Sequence, residues 1–194
     1  IKDRELWEVY ARGYTGKISG LIYTNWSLCD ELPKDYKKRY IGIDFGFTND
    51  PTAIIDVRLS NGELWVHEIA YSNGLLNTDI ARIIKDYVVG STTIVADSAE
   101  PKSIEELKRG GIRIKGAAKG KDSITHGIQT LQQYEILVTS SSVNLIKELR
   151  NYFWDTDKNG NKLNKPIDNY NHLIDALRYG CESLAKPIFA WVSG

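Results

Sequence analysis

Apolar positions along the chain keep two periods, and the switches between them mark a succession of strands and helices. Tyr40-Ile41-Gly42-Ile43-Asp44-Phe45-Gly46 reads as a buried strand, closed by the turn Asn49-Asp50-Pro51. Residues 52–58 and 63–71 read as two more strands, joined through Ser60-Asn61-Gly62, a hairpin signal because Asn-Gly tolerates left-handed backbone. Asn77 or Thr78 can cap a helix running to about Val89, with Ile80, Ile83, Ile84 and Tyr87 on one side. The pattern then predicts a strand at 92–97, a short helix at 103–108 stopped by Gly110-Gly111, and a strand at 112–116. A helix over about 121–133, a strand at 135–139 and a helix at 143–152 follow. After a polar excursion from Asp155 to Lys162, a last helix is predicted from near Asn169 to before Pro187.

Residues 1–39 read as a lead-in from an upstream domain, with a short helix at 5–11 broken by Gly13, Gly16 and Gly20. Residues 40–194 read as one domain. Leading strands with a hairpin, followed by strands alternating with helices, predict an α/β fold with a mixed sheet covered on both faces.

Against that skeleton three aspartates stand out. Asp44 ends the first apolar run, Asp97 ends Thr93-Ile94-Val95-Ala96, and Asp175 sits inside the last helix. An ionised carboxylate at the end of a buried strand loses hydration unless something compensates it. Two such acids and a third from a helix can share a divalent cation, the usual all-oxygen site for phosphoryl-transfer chemistry. Strand alternation puts Gly42, Asp44 and Gly46 on one face, and the two glycines are expected to leave room for an ion and a phosphate. The helix after residue 77 reads as a crossover that makes the Asp97 strand parallel to the Asp44 strand, so both acids are expected to project from one sheet edge. In the last helix Ile174, Leu177, Cys181 and Leu184 form the packing stripe, while His172, Asp175 and Tyr179 occupy an adjoining face. Taken singly, each acid has a structural reading: a turn cap for Asp44 or Asp97, an i,i+3 pair with Arg178 for Asp175. His172 reads either as a helix-start or packing residue or as a participant in the site.

Length and composition narrow the class. The 194 residues suffice for one domain with a sizeable core, and 42% apolar with 26% charged residues is ordinary for a soluble protein. No apolar stretch approaches a membrane span, and no signal peptide opens the chain. Cys29 and Cys181 fit no paired motif, which suggests a reducing compartment, and Asn25-Trp26-Ser27 then matches a glycosylation pattern by chance. The absence of methionine suggests a piece of a longer polypeptide. Net charge is zero, unlike proteins that hold nucleic acid by bulk electrostatics. From Pro101 to Lys121, however, seven basic residues face only Glu105 and Glu106. Arg113, Lys115, Lys119 and Lys121 are the resulting DNA-contact candidates.

Four stretches, in order, resemble the nuclease domain of a tailed-phage terminase large subunit, a ribonuclease H-like DNA-packaging enzyme. They are Gly42-Ile43-Asp44-Phe45-Gly46-Phe47-Thr48-Asn49-Asp50-Pro51-Thr52-Ala53, Ala96-Asp97-Ser98-Ala99-Glu100-Pro101-Lys102-Ser103-Ile104, Ala118-Lys119-Gly120-Lys121-Asp122-Ser123-Ile124 and Asn171-His172-Leu173-Ile174-Asp175-Ala176-Leu177-Arg178-Tyr179. The resemblance implies a double-stranded DNA endonuclease using two Mg²⁺ or Mn²⁺ ions, with Asp44, Asp97 and Asp175 as ligands and His172 beside them. Asp44 would bridge the ions, one activating water and the other stabilising the departing 3′-oxygen. It also implies an upstream packaging ATPase domain, a small terminase subunit and a capsid portal as partners, in the host cell cytoplasm. The hairpin expected around Asn159-Gly160 would by the same analogy gate the site.

Competing readings make distinguishable demands. No P-loop is present: Gly16-Lys17 and Gly120-Lys121 lack both the first glycine and the following Ser or Thr. Ile-Gly-Ile-Asp-Phe-Gly also resembles the first phosphate loop of actin-like ATPases, but that reading needs a second lobe and leaves Asp175 unexplained. A portal-docking module has no reason to cluster acids, and a resolvase or transposase is the nearest nuclease rival. Asp155-x-Asp157-x-Asn159-Gly160 begins like a calcium loop, but Pro166 stands where the bidentate glutamate belongs.

Overall fold

The computed structural model describes residues 20–88, 90, 92–118, 120 and 122–184. Its strands are β1 (Trp26–Cys29), β2 (Lys38–Asp44), β3 (Thr52–Ser60), β4 (Glu63–Ser72), β5 (Ile94–Ala96), β6 (Ile114–Gly116), β7 (Ile136–Thr139), β8 (Trp154–Thr156) and β9 (Lys162–Pro166). Its helices are α1 (Asn77–Tyr87), α2 (Pro101–Arg109), α3 (Ser123–Leu131), α4 (Val143–Asn151) and α5 (His172–Gly180), with a 3₁₀ turn at Glu182–Leu184. β1 to β7 form one mixed sheet in the order β1-β7-β4-β3-β2-β5-β6, and β8 and β9 pair separately.

The hairpin between β3 and β4 turns at Asn61 and Gly62, both at positive φ, as that dipeptide favours. β2 runs antiparallel to β3 and parallel to β5, pairing Gly42 with Val95 and Ile43 with Ala96. Alternation along β2 then divides the core. Ile41 and Ile43 pack with Ile80 and Ile84 of α1 and Ile104 and Leu107 of α2. Residues registered beside Gly42, such as Ile55, belong to the opposite core with Ile128, Leu145, Leu149, Leu173 and Leu177 of α3, α4 and α5. Helices therefore cover both faces, as the alternation of predicted elements indicated.

Some details differ. β1 was not among the expected strands; it pairs in parallel with β7, and Ile22 and Tyr23 just before it are buried in the core. Residues 20–39, expected as a lead-in, thus build part of the same sheet, because a four-residue edge strand with ends half-buried carries almost no periodic signal. The Asn25 amide donates to Leu131 O (3.1 Å) and Tyr134 O (2.6 Å), holding the turn between α3 and β7. At α1 the cap is Leu76, not Asn77 or Thr78, with the Leu76 N–H donating to Asp79 Oδ2. The helix expected at 5–11 and the end of the last predicted helix beyond 184 lie outside the described residues.

Candidate active site

Two strand ends and one helix bring the three acids to one edge. Asp44 is the last residue of β2, and Asp97 follows β5, its N–H donating to Ile43 O at 3.0 Å. α5 lies directly over β2. A β-carbon on Gly42 would stand 2.7 Å from the Ala176 carbonyl carbon, closer to its oxygen, and 3.0 Å from Gly180 N. The space expected beside Asp44 for an ion is therefore filled by helix backbone: Gly42 is small so that α5 can touch the strand. Gly46 is likewise taken up by its own loop, 2.6 Å from the Asp50 carbonyl carbon at the β-carbon position, and Thr52 Oγ1 clamps that loop by donating to Gly46 O (2.8 Å).

Each acid has at least one hydrogen-bond partner supplied by the protein. His172 Nδ1 lies 3.1 Å from Asp44 Oδ2; a carboxylate can only accept, so this nitrogen carries the proton when Asp44 is ionised. Arg178 donates from Nε (3.3 Å) and Nη2 (3.0 Å) to the same atom, Asp175 Oδ1. The Ala99 N–H donates to Asp97 Oδ1 at 3.0 Å. Among the described residues, Asp44 Oδ1 and Asp175 Oδ2 have no protein donor. The two structural readings thus hold as contacts: Asp97 caps its turn and Asp175 pairs with Arg178.

The electrostatics are those of crowded, half-hidden acids. Burial pushes the Asp44 carboxyl up to about 6, the His172 hydrogen bond opposes it, and the charges of Asp175 and Asp97 add to it. Burial likewise raises Asp175 against the pull of Arg178, with Asp97 adding to the rise. The hydrogen bond to Asp44 raises His172. Burial, not mutual repulsion, is the largest cause at both acids. Among the described residues no three His, Cys, Asp or Glu side chains yet converge closely enough to hold one metal ion together. Asp44, Asp97 and Asp175 influence one another, but each is drawn toward its own tether.

Sequence reasoning missed two acids here. Glu148 is buried on α4, and its Oε2 accepts the N–H groups of Leu173 (2.8 Å) and Ile174 (3.0 Å), capping the start of α5 that carries His172 and Asp175. Burial pushes its carboxyl up to about 7, against those amides. Its signal was available: Glu148 stands on the same face as Leu145, Leu149 and Tyr152 at helical spacing. Asp50 is the other, with Oδ1 3.8 Å from His172 Nε2.

Of the four basic candidates, Arg113 and Lys115 are among the described residues. Lys115 projects from β6 into an ion pair with Glu182, whose other oxygen accepts the Ala118 N–H (2.8 Å). Arg113 precedes β6, at the end of that strand away from the acids. Lys119 and Lys121 lie outside the described residues. The calcium-like segment is a turn organised by Asp157, which accepts from Asn159 N (2.9 Å), Asn161 N (2.8 Å) and Asn161 Nδ2 (2.9 Å).

A mixed sheet covered on both faces, with acids at two neighbouring parallel strand ends and a third on a helix over the first strand, is a ribonuclease H-like architecture. The chain belongs to the terminase RNase H-like domain family, whose profile matches residues 44–183, from the first acid to beyond the third. It is 35% identical over 153 residues to the large terminase subunit of Bacillus phage SPP1, covering 73% of this chain and 35% of that protein. It is 26% identical over 193 residues to the PBSX phage terminase large subunit of Bacillus subtilis, covering 93% of this chain and 44% of that one. The chain thus spans less than half the length of these curated relatives. The SPP1 large terminase nuclease domain, solved with bound Mn, superposes with a TM-score of 0.72 at 30% identity, over 82% of this chain and 96% of that one. The large terminase nuclease of thermophilic phage G20c superposes at 0.60 with 19% identity, over 84% and 98%, and shares the fold.

Proposed function

We propose that this chain is a divalent-metal-dependent endonuclease domain that cuts double-stranded DNA during viral genome packaging. The observation that carries the reading is the meeting of Asp44, Asp97 and Asp175 at one sheet edge, in a family whose SPP1 member was solved with Mn. The residues fit divalent cations by donor chemistry. All three are carboxylates, the two with raised pKa are costly to ionise without a cation, and among the described residues nothing donates to one oxygen of Asp44 and one of Asp175. In this reading Asp44, Asp97 and Asp175 hold two Mg²⁺ or Mn²⁺ ions, which when bound acidify a water and neutralise charge on the departing 3′-oxygen.

The chain's own groups supply positioning. His172 fixes Asp44 through Oδ2, Arg178 fixes Asp175 through Oδ1, and Glu148 holds the first turn of α5 so that His172 and Asp175 move together. Cutting indifferent to sequence is expected where lysines and arginines hold the DNA through its phosphates, which carry no sequence information. The greater length of the relatives supports a further domain in the same polypeptide, which in this reading is an upstream packaging ATPase. The same reading gives a small terminase subunit and a capsid portal as partners, in the host cell cytoplasm.

The test is plasmid cleavage by the isolated chain with Mn²⁺ or Mg²⁺. Nicking is expected with metal and none with excess chelator, and Asp44→Asn or Asp97→Asn should abolish it with thermal stability equal or higher. Equal cutting in chelator refutes the metal requirement; unfolding of both variants makes these acids structural.

A further inference from the structure

Arg178 is among the more deeply buried cations of the described chain, with 9% of its side chain exposed against 17% for its partner Asp175. Two features of its setting go beyond an ordinary i,i+3 pair. First, both donors converge on Oδ1, so the contact fixes the carboxylate's rotation and occupies only half of it. Second, the stem lies in a notch in α3. A β-carbon on Gly127 would stand 2.6 Å from Arg178 Cδ and closer to Cγ, so only glycine leaves the stem its place. The guanidinium also lies 4.6 Å from the centre of the Tyr179 ring, which holds its plane. Helix α3, the Arg178 stem and Asp175 are thus packed in series.

We propose that Arg178, seated in the Gly127 notch, is a positioning residue that orients Asp175 for metal by taking Oδ1 and leaving Oδ2 to the ion. The proposal rests on the metal-dependent reading above. It differs from two simpler roles by the sign of an effect. If Arg178 merely competes with the cation for Asp175, its removal tightens metal binding. If it grips DNA phosphate from the cleft it lines with Lys115 and Ser123, its removal weakens DNA binding.

The experiment is Mn²⁺ binding to the chain by calorimetry without DNA, beside thermal unfolding. Arg178→Ala should bind Mn²⁺ roughly 10–100-fold more weakly, the range for losing a residue that orients a ligand. Arg178→Lys should recover most of that loss, since one ammonium donor can serve a contact made at one oxygen. Gly127→Ala should weaken binding in the same direction, and the Gly127→Ala/Arg178→Ala double variant should be no worse than Arg178→Ala alone, because both act through one side chain. Affinity for a DNA duplex in chelator, and its salt slope, should not change. Tighter or unchanged Mn²⁺ binding by folded Arg178→Ala overturns the proposal, as does additivity in the double variant. If the unsubstituted chain binds no Mn²⁺, it is the metal-dependent reading that fails. If Arg178→Ala does not fold, Arg178→Lys and Gly127→Ala decide, and full affinity in Gly127→Ala overturns the proposal.

Discussion

Replacing Gly42 with alanine adds one carbon at the point where strand and helix backbones touch, and its consequences can be worked through. The new carbon would stand 2.7 Å from the Ala176 carbonyl carbon, whereas non-bonded carbons settle at about 3.5–4.0 Å. Helix α5 must therefore lift or slide by at least about 1 Å over β2, since the Ala176 oxygen is closer still. Overpacking of this kind costs about 1–3 kcal/mol, offset by about 0.5–1 kcal/mol because alanine is the better strand residue. The net loss should be about 0–2.5 kcal/mol, which leaves the domain folded. Function should suffer more. Asp175 and His172 ride on α5 while Asp44 and Asp97 stay with the sheet, and a misplacement of about 1 Å can cost ~10²-fold in rate. Gly180→Ala is the graded control: its β-carbon would meet Gly42 N, Gly42 Cα and Ile41 C at 3.1–3.3 Å, tight but within reach of a small adjustment. Urea unfolding and Mn²⁺-dependent nicking of both variants provide the comparison. Gly42→Ala should lose about 100-fold in cutting for a modest loss of stability, and Gly180→Ala much less of either. Near-normal cutting by Gly42→Ala, or a larger defect in Gly180→Ala, refutes the view that this contact sets the spacing of the acids.

Glu148 gives a pH prediction. Its folded-state value of about 7 lies above the ordinary 4.5, so its share of stability is whole below pH 4.5 and is lost as pH rises through about 7, by at most about 3 kcal/mol. Glu148→Gln keeps an oxygen for the Leu173 and Ile174 amides and should flatten that part of the stability–pH curve; an unchanged curve refutes the assignment. Asp56 is fully buried and held by Arg39, whose Nε and Nη2 donate to its two oxygens at 2.9 Å each, with Arg58 at 3.3 Å. Arg39→Ala should cost about 3 kcal/mol in urea unfolding by stranding that charge, and a loss under about 1 kcal/mol means Arg58 compensates it alone. If Lys115 exchanges Glu182 for a DNA phosphate, Lys115→Ala should flatten the plot of log affinity against log salt by about 0.9; an unchanged slope puts the phosphate track elsewhere.

What the sequence made legible were the anomalies. An acid ending an apolar run is conspicuous because its cost is local, so Asp44 and Asp97 could be picked out and their strands placed in parallel before any coordinates. The hairpin at Asn61-Gly62 and the two packing faces of β2 follow from period and turn chemistry alone. What stayed hidden were the contacts made across long stretches of sequence, while the local ones, Ala99 on Asp97 and Arg178 on Asp175, could be anticipated. His172 meets Asp44 across 128 positions, and Glu148 reaches Leu173 across 25. The glycines show the same limit from the other side. Gly42 beside an acid suggested room for a ligand, but a missing side chain says only that something comes close, not what. Here it is the helix that brings the third acid. Asp56 sharpens the point, since Ile54-Ile55-Asp56-Val57 is as anomalous in sequence as the run ending in Asp44. The difference lies in the compensation: Asp56 is closed in by arginines and a tyrosine at its mid-strand position, with every neighbour supplied by the protein. Asp44, at a strand end, has one oxygen tethered and the other without a donor among the described residues. A buried acid that the fold satisfies completely holds the structure together; one that the fold satisfies by half is available to bind something else.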